Sequence, residues 1–287
     1  MRFNVASELE YSVHAASTII FNIHALRTAS QTVLAESLTI EPYIKHEEFV
    51  SSSGESRFVR LETGGLDFLK VSYRARVDIE HAMVDIELLE RVPLHKLAHD
   101  IVPFLFPSRY CQSDRLGRLA YRNFGRFKTA YERVVAITEW VHENVEYVYG
   151  STDAQTSAYD TVTQGAGVCR DFAHLSIALC RALNIPARYF TGYAYQLEPP
   201  DFHACFEAFI GGRWMLFDAT RLAPLNGIVR IATGRDAADT SVATIFGLVN
   251  LQKMNVSCDV VRDEGDVFQP VTHADLGKGG VSLDFTS

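Results

Sequence analysis

Apolar residues in the first ninety positions fall in short runs that favour alternate positions. Leu9-Tyr11-Val13, Thr18 to His24 and Thr32 to Ile40 are rich in β-branched and aromatic residues, as half-buried strands are. Ser51-Ser52-Ser53-Gly54 interrupts the pattern as a turn. Arg57 to Glu62 and Leu66 to Val77 read as two strands of a hairpin closed through Gly64-Gly65, and Val77 to Leu89 as one more strand. Many short strands with turns between them predict an antiparallel β-sandwich over 1–92. Pro93 to Pro107 reads as a linker, after which the period changes. A short helix is expected over 114–124. A longer one is expected over 129–144, with Val134, Ile137 and Val141 on one face. Val145 to Tyr149 reads as extended, and Gly150 to Gly167 as polar chain without an element. A helix from Cys169 carries Phe172, Leu175, Leu179 and Leu183, with Asn184 placed to cap it and Pro186 to stop it. Ala187 to Tyr195, Phe202 to Ile210 and Arg213 to Asp218 read as strands, the last two joined by Gly211-Gly212. The pattern therefore predicts a two-domain α+β protein. A β-sandwich spans 1–92, a mixed domain spans 93–262 with further strand-like runs after 227, and a polar, Gly-rich tail spans 263–287.

Composition removes some classes of function. The 287 residues are 47% hydrophobic and 22% charged, values of an ordinary globular protein. The net charge of -8 comes without a basic block, so no nucleic-acid partner is expected. The stretch MRFNVASELEYSV lacks the pattern of a secretory signal, and no apolar run is long enough to span a bilayer; the expectation is a cytoplasmic protein with no membrane partner. Five scattered cysteines do not suggest a disulfide framework.

The chemistry gathers around Gly165-Ala166-Gly167-Val168-Cys169. A cysteine at a helix N-terminus meets unpaired N–H groups and the positive end of the helix dipole, which favour thiolate. A cysteine nucleophile needs a base and a group that orients the base. If Gly211-Gly212 forms the hairpin loop, Ile210 faces Arg213 and Cys205 faces Asp218, so His203 and Asp218 share one face within reach of each other; a slip of one residue would separate them. Cys169 is then the candidate nucleophile, His203 the acid–base and Asp218 the orienting carboxylate. The Cys169 N–H is one candidate oxyanion donor and Gln164 a second. Asp171 reads as a first-turn partner of the helix dipole, His174 as a packed or hydrogen-bonded residue, and Arg235-Asp236 as a loop ion pair. Zinc on Cys169, Cys205 and His203 is the main alternative, but the paired short spacings of zinc ligands are absent, so no metal is expected.

Three segments resemble the transglutaminase-like superfamily of papain-like thiol enzymes: Gly167-Val168-Cys169-Arg170-Asp171-Phe172-Ala173-His174, His203-Ala204-Cys205-Phe206-Glu207 and Trp214-Met215-Leu216-Phe217-Asp218-Ala219-Thr220. The family's catalytic Cys, His and Asp map onto Cys169, His203 and Asp218. Pro107-Ser108-Arg109-Tyr110-Cys111 and Thr233-Gly234-Arg235-Asp236-Ala237-Ala238-Asp239 resemble the bacterial branch regarded as cysteine proteases, which carries an N-terminal β domain. The resemblance implies a papain-like core and a cofactor-free cysteine peptidase or amidase acting on peptide or protein through a thioester. Two departures stand out: Cys205 where the family usually has Trp, and Ala219 where it often has Pro. Cys205 and Trp214 are expected to line the substrate site. Transamidation by the same fold, and a binding module without catalysis, remain the alternative functions.

Overall fold

The computed structural model describes residues 1–262 and 267–284. Seven strands come first: β1 Arg2–Val13, β2 Thr18–Phe21, β3 Gln31–Glu41, β4 His46–Val50, β5 Arg57–Glu62, β6 Phe68–Ile79 and β7 Ala82–Val84. Helices α1 Ser113–Phe124 and α2 Ala130–Asn144 follow, then β8 Glu146–Tyr147, α3 Ala158–Gln164, β9 Ala166–Gly167 and α4 Cys169–Ala182. The remainder is β10 Ala187–Ala194, β11 Phe202–Ile210, β12 Arg213–Phe217, β13 Ile228–Gly234, α5 Ala237–Thr240, β14 Ala243–Phe246, β15 Val249–Val260 and β16 Gly280–Ser282.

The N-terminal region is an antiparallel sandwich, as the alternation requires. Its two four-stranded sheets run β15-β1-β6-β3 and β14-β2-β5-β4, with Phe3, Leu9, Ile19, Phe21, Leu69 and Tyr73 buried in one core. Each sheet is completed by a strand from the far end of the chain. The expected boundary at 262 is therefore corrected: β15 lies beside β1 along eleven residues of that strand, from Phe3↔Val260 to Val13↔Val249. The Gly64-Gly65 hairpin is corrected too, because β5 and β6 belong to different sheets and the glycines carry the chain between them. The strand expected over Val77 to Leu89 ends at Ile79 and gives way to β7 and a short 3-10 turn over Ile86–Leu88.

The second region has a six-stranded sheet ordered β13-β10-β11-β12-β16-β7, with α4 against β10 and β11. α4 is buried on nearly every side, so its C-terminal half needs internal partners. Arg181 provides them: its guanidinium donates to the carbonyls of Phe106, Ala187 and Arg235 and to Ser108 Oγ at 2.6–3.0 Å. The expected tail also needs correction. Val281 is fully buried, and β16 pairs with both β12 and β7, so 280–282 belong to the sheet.

Candidate active site

Cys169 is the first residue of α4. The turn before it is fixed by Asp171, whose Oδ2 accepts from Val168 N–H at 2.9 Å and from Thr152 Oγ1 at 2.7 Å, with Arg170 3.3 Å from Oδ1. A Cβ on Gly167 would lie 2.7 Å from the Asp171 Cβ, so this glycine makes room for the capping carboxylate. Of the five cysteines, Cys169 alone is partly exposed. Burial pushes the thiols of Cys111 and Cys205 up to about 12 and those of Cys180 and Cys258 higher still.

The β11–β12 hairpin has the expected register. Ile210 pairs with Arg213 and Phe206 with Phe217, across Gly211 and Gly212 at φ 65° and 78°. Those positive φ values suit the two-residue turns whose twist matches the strands. The register brings His203 Nε2–H to Asp218 Oδ2 at 2.8 Å. Asp218 Oδ1 is held by Thr220 N–H at 2.9 Å and by its hydroxyl at 2.7 Å. Burial would depress the His203 pKa, but Asp218 outweighs it and holds the imidazolium well above its usual range. Burial likewise raises the Asp218 carboxyl, yet His203 and Thr220 carry it below the ordinary value.

The other ring nitrogen, Nδ1, is buried without a partner at hydrogen-bond geometry. The Cys169 thiol is near enough to favour the charged ring without meeting Nδ1 at hydrogen-bond geometry. Cys169 and His203 line one cavity of about 450 Å³, together with Tyr110, Arg170, Tyr189, Asp201 and residues of the β-sandwich. A cavity of about 500 Å³ reaches Asp218 from elsewhere, lined by Gln196, Arg221 and His273, but it includes neither Cys169 nor His203. The first cavity is the one that Cys169 and His203 share.

Other expected residues sit differently. Gln164 is exposed at the end of α3, where left-handed Gly165 (φ 69°) turns the chain into β9, and it does not line the Cys169 cavity. Cys205 and Trp214 are also absent from that wall. Cys205 is 1% exposed. Trp214 packs on Phe104 at 5.2 Å and Phe209 at 5.3 Å, under the Arg188 guanidinium at 4.3 Å. A core position on the sheet therefore replaces the wider subsite expected at Cys205. Arg235 pairs with Asp239, at 2.9 Å, instead of Asp236; Asp236 caps α5 and accepts from Tyr110 N–H. His174 Nε2 accepts from Ala237 N–H at 3.1 Å, its ring stacks on Tyr110 at 4.9 Å, and burial holds it neutral. Ligand atoms of His203, Cys205 and Asp218 lie within 4.8 Å of one another, a donor set compatible with a soft divalent ion.

The sequence reading missed Tyr147 and Tyr189. Both are pushed well above the usual phenol range by burial, with the nearby Cys169 charge adding to it. Tyr147 is placed by the short parallel pairing of β8 with β9, Tyr147↔Gly167. Nothing in the local sequence marked that pairing.

A cysteine at a helix end packed on a His–Asp hairpin is an arrangement that thiol enzymes share. The chain belongs to the transglutaminase-like superfamily: its family model matches residues 118–219, and that of the bacterial transglutaminase N-terminal domain matches residues 1–100. The structure of a "putative cysteine protease" from Cytophaga hutchinsonii is 56% identical, covers 99% of this chain and 98% of its own, and superposes with a TM-score of 0.95. An uncharacterised Mycobacterium leprae protein is 31% identical over 123 residues, 40% of this chain and 43% of its own. An uncharacterised Mycobacterium bovis protein is 30% identical over 145 residues, 44% and 46% of the two chains. The chain thus spans under half the length of these curated relatives. Among the described residues no helix is long and apolar enough to cross a membrane.

Proposed function

We propose that the protein is a cysteine peptidase or amidase in which Cys169 is the nucleophile, His203 the acid–base and Asp218 the orienting carboxylate. The observation that carries this is the 2.8 Å His203–Asp218 pair behind an unpartnered Nδ1 in the Cys169 cavity. The Cys169 thiolate adds to the amide carbon. His203 then passes its Nδ1 proton to the departing amine as the C–N bond breaks, leaving a thioester. Neutral His203 next takes a proton from water, the hydroxide adds to the thioester carbon, and the C–S bond breaks to return thiolate and imidazolium. The Cys169 N–H at the start of α4 faces the developing oxyanion. Gln164 is not the second donor, because it does not line the Cys169 cavity. A peptide library incubated with and without added primary amines tests the reading. Hydrolysed products that persist in amine support a peptidase. Amine-capped products as the main species favour transamidation, and no turnover with slow alkylation of Cys169 by iodoacetamide favours a binding module.

A further inference from the structure

The cavity that holds Cys169 and His203 is not closed by the transglutaminase-like core. One wall comes from the β-sandwich: Leu9 and Tyr11 of β1, Ile245 of β14, and Leu251 and Met254 of β15. Four of these form matched pairs, because Leu9 faces Met254 and Tyr11 faces Leu251 across the β1–β15 ladder. Cross-strand partners share one face of a sheet, so the four side chains make a continuous apolar surface. Leu9 and Tyr11 are buried, whereas Leu251 and Met254 are 48% and 38% exposed, large for side chains of their type. The Tyr11 hydroxyl makes no hydrogen bond among the described residues, so a donor stands in an otherwise apolar wall.

We propose that this wall is the specificity subsite of the enzyme, and that it takes a large apolar side chain, Phe or Leu, of a peptide whose neighbouring amide lies at Cys169. The inference rests on the peptidase reading for its reaction, but the subsite is a binding claim of its own. Its occupant follows from continuity: the wall and the nucleophile share one cavity of about 450 Å³, within the size range of ligand pockets. A polar side chain against this wall would give up water and find only Tyr11 among its five residues, while an aromatic or branched aliphatic one would cover Leu251 and Met254. The N-terminal domain thereby acquires a function, selection of substrate. The long return of β14 and β15 from the second region has a reason too, since it carries the exposed half of the subsite to the nucleophile.

The test uses the full chain with Cys169→Ala, so that binding is read without turnover. Capped peptides matched except for Phe or Ser at one position are titrated by calorimetry, the position being scanned along the peptide. At one position Phe should bind about 10- to 100-fold more tightly than Ser, the span expected for burial of such a side chain. Adding Leu251→Ser and Met254→Ser should bring that ratio to within about threefold. Leu248→Ser, in the connection between β14 and β15, 65% exposed and outside the cavity, should leave it unchanged. No position with a preference for Phe, or a preference that survives the double substitution or falls equally with Leu248→Ser, overturns the subsite. Failure of the wild-type chain to cleave any peptide, with the Phe preference intact, overturns the peptidase reading and leaves the subsite standing.

Discussion

Strand β11 carries two buried charged clusters, and they differ in what they leave unfinished. His203 meets Asp218 through one ring nitrogen, and the other is unpartnered beside the Cys169 cavity. Four residues on, Glu207 is closed on both sides. Its two oxygens accept from Arg188 Nε at 2.6 Å and Arg230 at 2.7 Å, and Asp284 bridges the same two arginines at 2.7 and 2.8 Å. Arg188 also reaches Glu55 of the sandwich at 3.3 Å. The second cluster pairs two cations with two carboxylates in a ring and has no open position. It ties β10, β11 and β13 to the loop before β5 and to the end of the described chain. Buried polar networks cost stability unless every member is satisfied. The cluster that meets this rule holds the strand in place, and the one that breaks it leaves a nitrogen free beside Cys169.

The comparison breaks first at the nucleophile. Cys169→Ala should lower turnover by about 10⁵- to 10⁶-fold, as removal of a nucleophile does in comparable triads, with the melting temperature unchanged because Ala suits the first turn of a helix. Activity within tenfold of wild type on a true substrate would remove Cys169 from the mechanism. Asp218→Asn should cost less, about 10³- to 10⁴-fold, because the thiol and imidazole remain. It also carries a pH signature. Asp218 is the strongest influence raising the His203 pKa against burial, so the alkaline limb of the wild-type pH–rate profile should lie well above 6.5 and move to lower pH in Asp218→Asn. The linked stability has the same sign. The raised His203 pKa contributes stability that is full below the unfolded value near 6.5 and is lost as pH rises through the folded value. An alkaline limb that stays in place after Asp218→Asn would mean that some other group controls the imidazolium.

Part of this contrast was legible in the chain. The His203–Asp218 register followed from local facts: two glycines at positive φ and a strict period of two on either side. Cys169 at a helix start was legible for the same reason. α3 was missed although Ser157 and Asp160 carry a capping signature, with Ser157 N–H and Oγ on the Asp160 carboxylate at 3.0 and 2.6 Å. Its polar surroundings hid it. The return of β14 and β15 to the sandwich depends on pairings across more than 200 residues, and that of β16 to the central sheet on pairings to β12 and β7 across 65 residues or more, which no local pattern carries. Placing Cys205 and Trp214 on the substrate wall failed on tertiary packing: the hairpin register was right, but both positions are covered, Trp214 by Phe104 and Arg188 and Cys205 by the core around α4.

The closed cluster can be opened from either carboxylate. Glu207→Gln leaves two buried guanidiniums short of one charge and should destabilise the fold by about 3–5 kcal/mol, the usual cost of breaking a buried pair from one side. Below the unfolding temperature, the folded protein should keep its alkylation rate at Cys169, since Glu207 touches neither Cys169 nor His203. A slowed alkylation with an unchanged melting temperature would reverse the roles assigned to the two clusters.

The smallest effect belongs to Asp284. Its side chain is 19% exposed, so water partly replaces what the mutation removes, and Arg188 and Arg230 retain Glu207. Asp284→Asn should therefore cost about 1 kcal/mol, well under the loss for Glu207→Gln. Its local signature should be larger than its global one. Asp284 is the last described residue of the chain, two beyond β16, and Ser282 Oγ donates to Trp214 O at 3.0 Å and to Asp284 O at 3.1 Å. Loosening the carboxylate should raise hydrogen exchange at 280–284, the segment whose sequence reads as a polar tail, while exchange along β11 stays as it was. If 280–284 and β11 quicken together, the two ends of the ring are one cooperative unit, and Asp284 holds the His203 strand as firmly as Glu207 does.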